Sequence, residues 1–117
     1  MKIFVICSVR DADDAYRKKL EMYTDELEAN GHTVHLPHRD TNQKATGIEI
    51  CTQNMNAIKA ADEVHIFYNP ASQGTHFDMG ITFALNKKIK IVESAPYVKG
   101  KSYAKFLEEY KEFIDGH

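Results

Sequence analysis

The stretch Tyr68-Asn69-Pro70-Ala71-Ser72-Gln73-Gly74-Thr75-His76-Phe77-Asp78 gathers more chemistry than any other in this chain. Two hydroxyls (Ser72, Thr75), a glycine (Gly74) and a carboxylate (Asp78) follow an apolar run, Val64 to Phe67, and open a helical pattern. Exposed N–H groups at a helix N-terminus attract anions. Ser72, Gly74 and Thr75 are therefore expected to hydrogen-bond phosphate or sugar hydroxyls, with Gly74 letting the backbone approach a ligand. Asp78 is expected in the first turn of the helix, where the dipole would keep it ionised. An ionised carboxylate can attack an anomeric carbon or steady an oxocarbenium-like cation. Taken one at a time, the same residues also read as a helix cap and a complement to the dipole.

Two further loops carry directional polar groups. Ser8-Val9-Arg10 follows the apolar run Ile3 to Cys7. Arg10 reads evenly as a two-pronged clamp for phosphate or carboxylate and as a solvated surface arginine. Pro37-His38-Arg39-Asp40-Thr41-Asn42-Gln43 is richer in fixed donors and acceptors than a plain Gly/Ser loop. Asn42 or Gln43 could read a nucleobase edge, because an amide offers a donor beside an acceptor. His76 neighbours the acid-bearing loop and is a candidate proton donor. His65 alternates with apolar residues and reads as packed. The six histidines show no metal-ligand spacing, and no metal or organic cofactor is expected. Cys7 and Cys51 are spaced neither as a zinc site nor as a redox pair, and read as small buried thiols.

These loops must be held by regular elements. Strands are expected over Ile3 to Cys7, Thr33 to Leu36, Glu63 to Tyr68 and Lys90 to Glu93. Helices are expected over Asp11 to Ala29, started by Asp11, Asp13 and Asp14 and stopped by Asn30-Gly31; Gly47 to Ala60; Thr75 to Asn86; and Ser102 to Ile114. His38 to Thr46 reads as loop. Cys51, Asn54, Met55 and Ile58 fall on one face of the second helix; Tyr103, Phe106, Leu107, Tyr110 and Ile114 form the stripe of the last. Lys87, Lys88 and Lys90 are expected to close the third helix, and Gly80 to pack it tightly on the sheet. Alternating strands and helices predict right-handed crossovers and a parallel sheet covered on both faces. Such a sheet keeps its crevice beyond the carboxyl ends of its strands, where all three polar loops arrive.

Bulk properties narrow the classes. At 117 residues the chain suits one domain, residues 1–117. A net charge of −2 argues against a nucleic-acid partner. No apolar run reaches the length of a membrane span, so no membrane is expected and a cytoplasmic location is. The first loop lacks the Ser/Thr/Gly-rich cradle of a flavin site, and no acidic pair with a partner lysine suggests a response regulator.

With the loops in place, the chain resembles the nucleoside 2-deoxyribosyltransferase-like superfamily, which includes base-exchanging transferases and hydrolases of nucleoside monophosphates. The match runs from Ile3 to about Val92 and is best over N-x-x-x-I-x-x-A-D-E-V from Asn54, then S-x-G-T-x-x-D-x-G-x-x-x-A-L-x-K from Ser72. The resemblance implies a flavodoxin-like, Rossmann-like three-layer α/β sandwich with a parallel sheet of four to five strands. It puts Asp78 at the place of the catalytic carboxylate and Asn54 at that of an aspartate that orients it. It puts Gln43, in the segment Asp40-Thr41-Asn42-Gln43, where a glutamine meets the base. Ser72 stands where the monophosphate hydrolases have a phosphate-contacting serine, with Ser8 and Arg10 as further substrate contacts. Two departures stand out: the family nucleophile is usually a glutamate, and Asn54 brings no charge. The implied activity is N-glycosidic hydrolysis or 2-deoxyribosyl transfer on a nucleoside or its 5′-monophosphate, with Asp40 or His76 as proton donor. Homo-oligomerisation, dimer or higher, is implied too. A binding module for a nucleotide or ADP-ribose-like ligand, without turnover, is the alternative that the two departures favour.

Overall fold

A computed structural model of the chain describes residues 1–10, 12–96 and 99–116. The elements run β1 (Lys2–Ile6), α1 (Asp14–Ala29), β2 (Thr33–His35), α2 (Pro37–Asp40), α3 (Gly47–Ala60), β3 (Glu63–Phe67), α4 (Gln73–Ala84), β4 (Lys88–Glu93) and α5 (Tyr103–Asp115). All pairings between the four strands are parallel, in the order β2-β1-β3-β4. The fold is a flavodoxin-like α/β sandwich. The expected start of α1 at Asp11 falls outside the described residues; Asp13 caps α1 by accepting from the Tyr16 N–H at 2.8 Å.

Successive side chains of a strand face opposite sides, and β1 therefore feeds two cores. Phe4 and Ile6 pack with Ile58, Val64, Ile66, Met79, Leu107 and Tyr110, under α3, α4 and α5. Ile3, Val5 and Cys7 pack with Leu20, Val34, Leu36 and Phe67, under α1. Both faces of β1 are dry, which is why Ile3 to Cys7 is unbroken apolar sequence.

Several local expectations are corrected. The segment from His38 is not all loop: Pro37 starts α2, its fixed φ suiting the first helical position, and the Asp40 carboxylate accepts from the Leu36 N–H at 2.9 Å. The lysines do not close α4, whose last turn holds no basic residue. Lys87 instead donates to the carbonyls of Lys59 and Ala61 at 2.8 and 2.7 Å, closing the C-terminal end of α3 across space, while Lys88 and Lys90 lie on β4. Met55 and Tyr103 are exposed rather than buried with their helical neighbours. A Cβ on Gly80 would meet nothing within 4 Å, so close packing does not account for that glycine. Among the described residues no helix is long and apolar enough to cross a membrane.

Candidate active site

In this strand order the chain direction across the sheet reverses between β1 and β3, and ligands of open α/β sheets bind at that reversal. A cavity of about 1090 Å³ opens there. Its walls come from the β1 loop (Cys7, Ser8, Arg10), the start of α1 (Asp13, Tyr16), the β2 side (Pro37, Gln43), α3 (Ile50, Asn54) and the segment from Asn69 to Asp78.

Asp78 forms part of the cavity wall from inside α4. The helix begins at Gln73, two residues before the expected start, so Asp78 stands in its second turn. There the backbone N–H groups are bonded within the helix and the terminal field has faded. The side chain is buried, and burial pushes its carboxyl up to about 7; a hydrogen bond from the Asn54 side chain pulls back only part of this. The expectation of a dipole-ionised Asp78 is therefore corrected: near neutrality the group is divided between acid and carboxylate. Asn54 itself is buried, and its Oδ1 accepts from Thr41 Oγ1 at 2.7 Å, leaving its NH₂ for Asp78.

Around this pair the other expected residues divide. Ser72 caps α4, its Oγ accepting from the Thr75 N–H at 3.1 Å. Just inside the cap, Gln73 and Gly74 occupy the first two helical positions, whose N–H groups have no intrahelical acceptor. A Cβ on Gly74 would meet nothing within 4 Å, so packing does not demand this glycine; its bare backbone borders the cavity. Arg10 lines the opposite loop and is exposed. Ser8 is buried, with its hydroxyl donating to the Arg10 carbonyl at 3.3 Å, and His38 holds the Ser8 carbonyl at 3.1 Å. Gln43 lines the cavity, anchored by donation from Nε2 to the Pro37 carbonyl at 2.8 Å.

Asp40, Asn42 and Thr75 do not reach the cavity. Arg39 donates to both oxygens of Asp40, at 2.8 and 2.9 Å. Partial burial raises the Asp40 carboxyl, but the bonds from Arg39 and from the Leu36 N–H outweigh it and leave Asp40 below its ordinary value. Its carboxylate is thus turned to Arg39 and not to the cavity. Asn42 Oδ1 accepts from the Lys44 N–H at 3.1 Å and its own N–H donates to Gln53, a local turn on the surface. Thr75 is fully buried, and its Oγ1 has no partner among the described residues. His76 is held away as well. Its Nδ1 faces the Ser72 carbonyl at 2.7 Å and so donates, which leaves Nε2 to accept from Tyr68 Oη at 2.8 Å. His65 is structural as expected, buried between Tyr23 and Glu63.

Three contributors went unread in the sequence. Cys7 borders Asp78, and burial, then the Asp78 charge, pushes its thiol up to about 12. Tyr16 is pushed to about 12 chiefly by burial, so both cavity-facing groups stay protonated. Thr41 was one of a row of polar residues; its burial beside Asn54 depends on the turn after α2, which no local pattern foretold. Among the described residues no three metal-ligating side chains gather.

The sequence profile described as nucleoside 2-deoxyribosyltransferase matches residues 8–108, a span that includes every cavity-lining residue except Cys7. The chain belongs to the nucleoside 2-deoxyribosyltransferase family. Its fold is similar to that of a solved CMP N-glycosidase of Clostridium botulinum, BcmB, with a TM-score of 0.64 and 22% identity over 99% of this chain and 97% of that one. No curated protein matches the chain. Within the family frame, Asp78 and Asn54 differ from the usual glutamate and aspartate, and in this structure both side chains line the cavity, the amide acting to lower the carboxyl.

Proposed function

We propose that the protein breaks the N-glycosidic bond of a nucleoside 5′-monophosphate, with Asp78 as nucleophile. The observation that carries this reading is a buried carboxylate, beside a neutral amide rather than a cation, in the wall of a cavity at the sheet's point of reversal. An Asp78 oxygen attacks the anomeric carbon; the bond to the base nitrogen breaks and its electron pair leaves with the base. Asn54 orients the carboxylate by donating from Nδ2. Water then displaces the glycosyl ester, or a second base does, which makes hydrolysis and transfer two fates of one intermediate. Neither acid expected for the leaving base is free to serve it: Asp40 is bound to Arg39, and both nitrogens of His76 are engaged. The phosphate is held by the N-terminus of α4 with Ser72, and by Arg10 from the facing loop, through charge-assisted bonds. Gln43 meets the base.

A reading without turnover is favoured by one observation: with its carboxyl near 7, Asp78 is half protonated at neutral pH, and a protonated acid is no nucleophile. One experiment separates the two. The protein is incubated with a panel of nucleosides and 5′-monophosphates and free base is measured by chromatography. Base release from a monophosphate that vanishes in Asp78→Ala is the expected result. Saturable thermal stabilisation by a nucleotide with no base released would establish the binding module instead.

A further inference from the structure

Asn54 can serve Asp78 only with its amide turned one way, NH₂ toward the carboxylate. Oxygen and NH₂ have nearly the same shape, so packing does not choose between them; hydrogen-bond partners do. The partner of Asn54 Oδ1 is Thr41 Oγ1 at 2.7 Å, in a buried contact. The same Thr41 oxygen lies 2.8 Å from His35 Nε2. A hydroxyl has one proton. Given to Asn54, it leaves Thr41 only lone pairs for His35, so the imidazole must carry its proton on Nε2. The ring of His35 is stacked on Phe4 with centroids 5.2 Å apart, which fixes its plane.

We propose that His35 and Thr41 are positioning residues: a one-way line of donors, His35 Nε2–H to Thr41 Oγ1–H to Asn54 Oδ1, turns the Asn54 NH₂ to Asp78 and favours its carboxylate form. Reversing the line, with the His35 proton on Nδ1, Thr41 donating to His35 and the Asn54 NH₂ turned to Thr41, would set the amide oxygen toward the Asp78 carboxylate, so the reversed line disfavours the ionised acid. A protonated Asp78 still offers its carbonyl oxygen to the Asn54 NH₂, so proton uptake does not require the line to reverse.

The other titratable groups are placed around the two ends of this line. Cys7 of the β1 end, Arg10 and Asp13 of the following loop and Tyr16 of α1 line the cavity with Asp78. Asp40 and Arg39 of α2 bear on His35, whose own basicity is lowered mainly by burial, so that the ring is neutral where Asp78 titrates.

The effect on turnover rests on Asp78 being the nucleophile; the line of donors itself does not. The test is a carboxyl-carbon NMR titration of Asp78 combined with nitrogen NMR of the His35 ring. In the wild-type protein His35 is expected as the Nε2–H tautomer at alkaline pH, where Asp78 is ionised. Thr41→Val, of equal shape, should raise the Asp78 midpoint by about one unit and lower kcat near neutrality about fivefold with KM unchanged. Thr41→Ser should restore both. A neutral His35 ring found as the Nδ1–H tautomer at alkaline pH overturns the proposal, as does a folded Thr41→Val with an unmoved midpoint. The wild-type tautomer measurement decides the matter even if Thr41→Val does not fold. Absence of base release from every substrate would overturn the proposed function and leave the titration to judge the line of donors.

Discussion

Asp40 and Asp78 both belong to segments at the carboxyl edge of the sheet, yet they have opposite fates. Asp40 is exposed, gripped by Arg39, which also holds Glu28, and lies below its ordinary titration range. Asp78 is buried beside an amide and a thiol and is pushed up to about 7. A guanidinium satisfies a carboxylate so fully that its lone pairs are no longer available to a substrate. An amide supplies direction without neutralising charge, so the acid keeps both its nucleophilic oxygens and a proton equilibrium near neutrality. In the proposed reaction, the role of each acid follows from the partner it is given, more than from its place beside the sheet.

Removing the acid character at each position sharpens that contrast. Asp78→Asn should lower base release by on the order of 1,000-fold or more, since a nucleophile is lost outright. The same variant should be more stable than the wild type at neutral and alkaline pH. The unfolded chain titrates Asp78 at its ordinary 3.8, and the fold raises this to about 7, so the folded state binds the proton more tightly. The stability this contributes is complete below the unfolded value and is lost as pH rises through about 7. Replacing the acid by an uncharged amide removes that loss, worth roughly 2–4 kcal/mol. Denaturant titrations at acid and alkaline pH measure the difference, and equal stabilities at alkaline pH would contradict the burial argument. Wild-type turnover should correspondingly rise through a midpoint near pH 7, falling about tenfold for each pH unit below it.

Arg10 offers an intermediate effect. It lines the cavity, and among the described residues it has no partner carboxylate such as Asp40 gives Arg39. Arg10→Ala should weaken binding of a 5′-monophosphate about 10-fold while leaving the matching nucleoside unchanged, as expected for loss of one charge-assisted contact. Calorimetry with the two ligands checks this, and equal losses would place Arg10 away from the phosphate. The smallest effect is expected at Asp40. Asp40→Asn should leave turnover within about twofold and cost about 1 kcal/mol or less, the usual range for a half-exposed ion pair. What stability Asp40 adds is present above its ordinary 3.8 and disappears as pH falls below it, the reverse of Asp78. A large loss of turnover in Asp40→Asn would break the comparison by showing that the paired acid also acts.

Much of this contrast was foreshadowed in the chain. Ser72, Gly74, Arg10 and Gln43 were legible as cavity residues because strand ends and helix starts are written locally, in apolar runs, Ser or Thr caps and Asn-Gly stops. The juxtaposition of Asn54 with Asp78 was legible only through resemblance, since no periodicity relates residues on two different helices. The misread positions share a cause. Thr75 and Asp78 were assigned by their distance from an expected helix start, and a shift of two residues turned one into the core and carried the other beyond the terminal field. Asp40 was read as a free acid because its capture by the adjacent Arg39 depends on the turn of α2.

Apart from the short α2, the order of elements, the parallel sheet and the gathering of polar loops at one edge were determined by sequence alone, because alternating apolar periodicities admit few ways of burying every greasy face. Tertiary structure decided the ionisation of Asp78, the bonding of Asn54 and the line of donors through Thr41 and His35. Burial and hydrogen-bond polarity depend on groups far apart in the chain, and they acquire a value only once those groups are packed against one another.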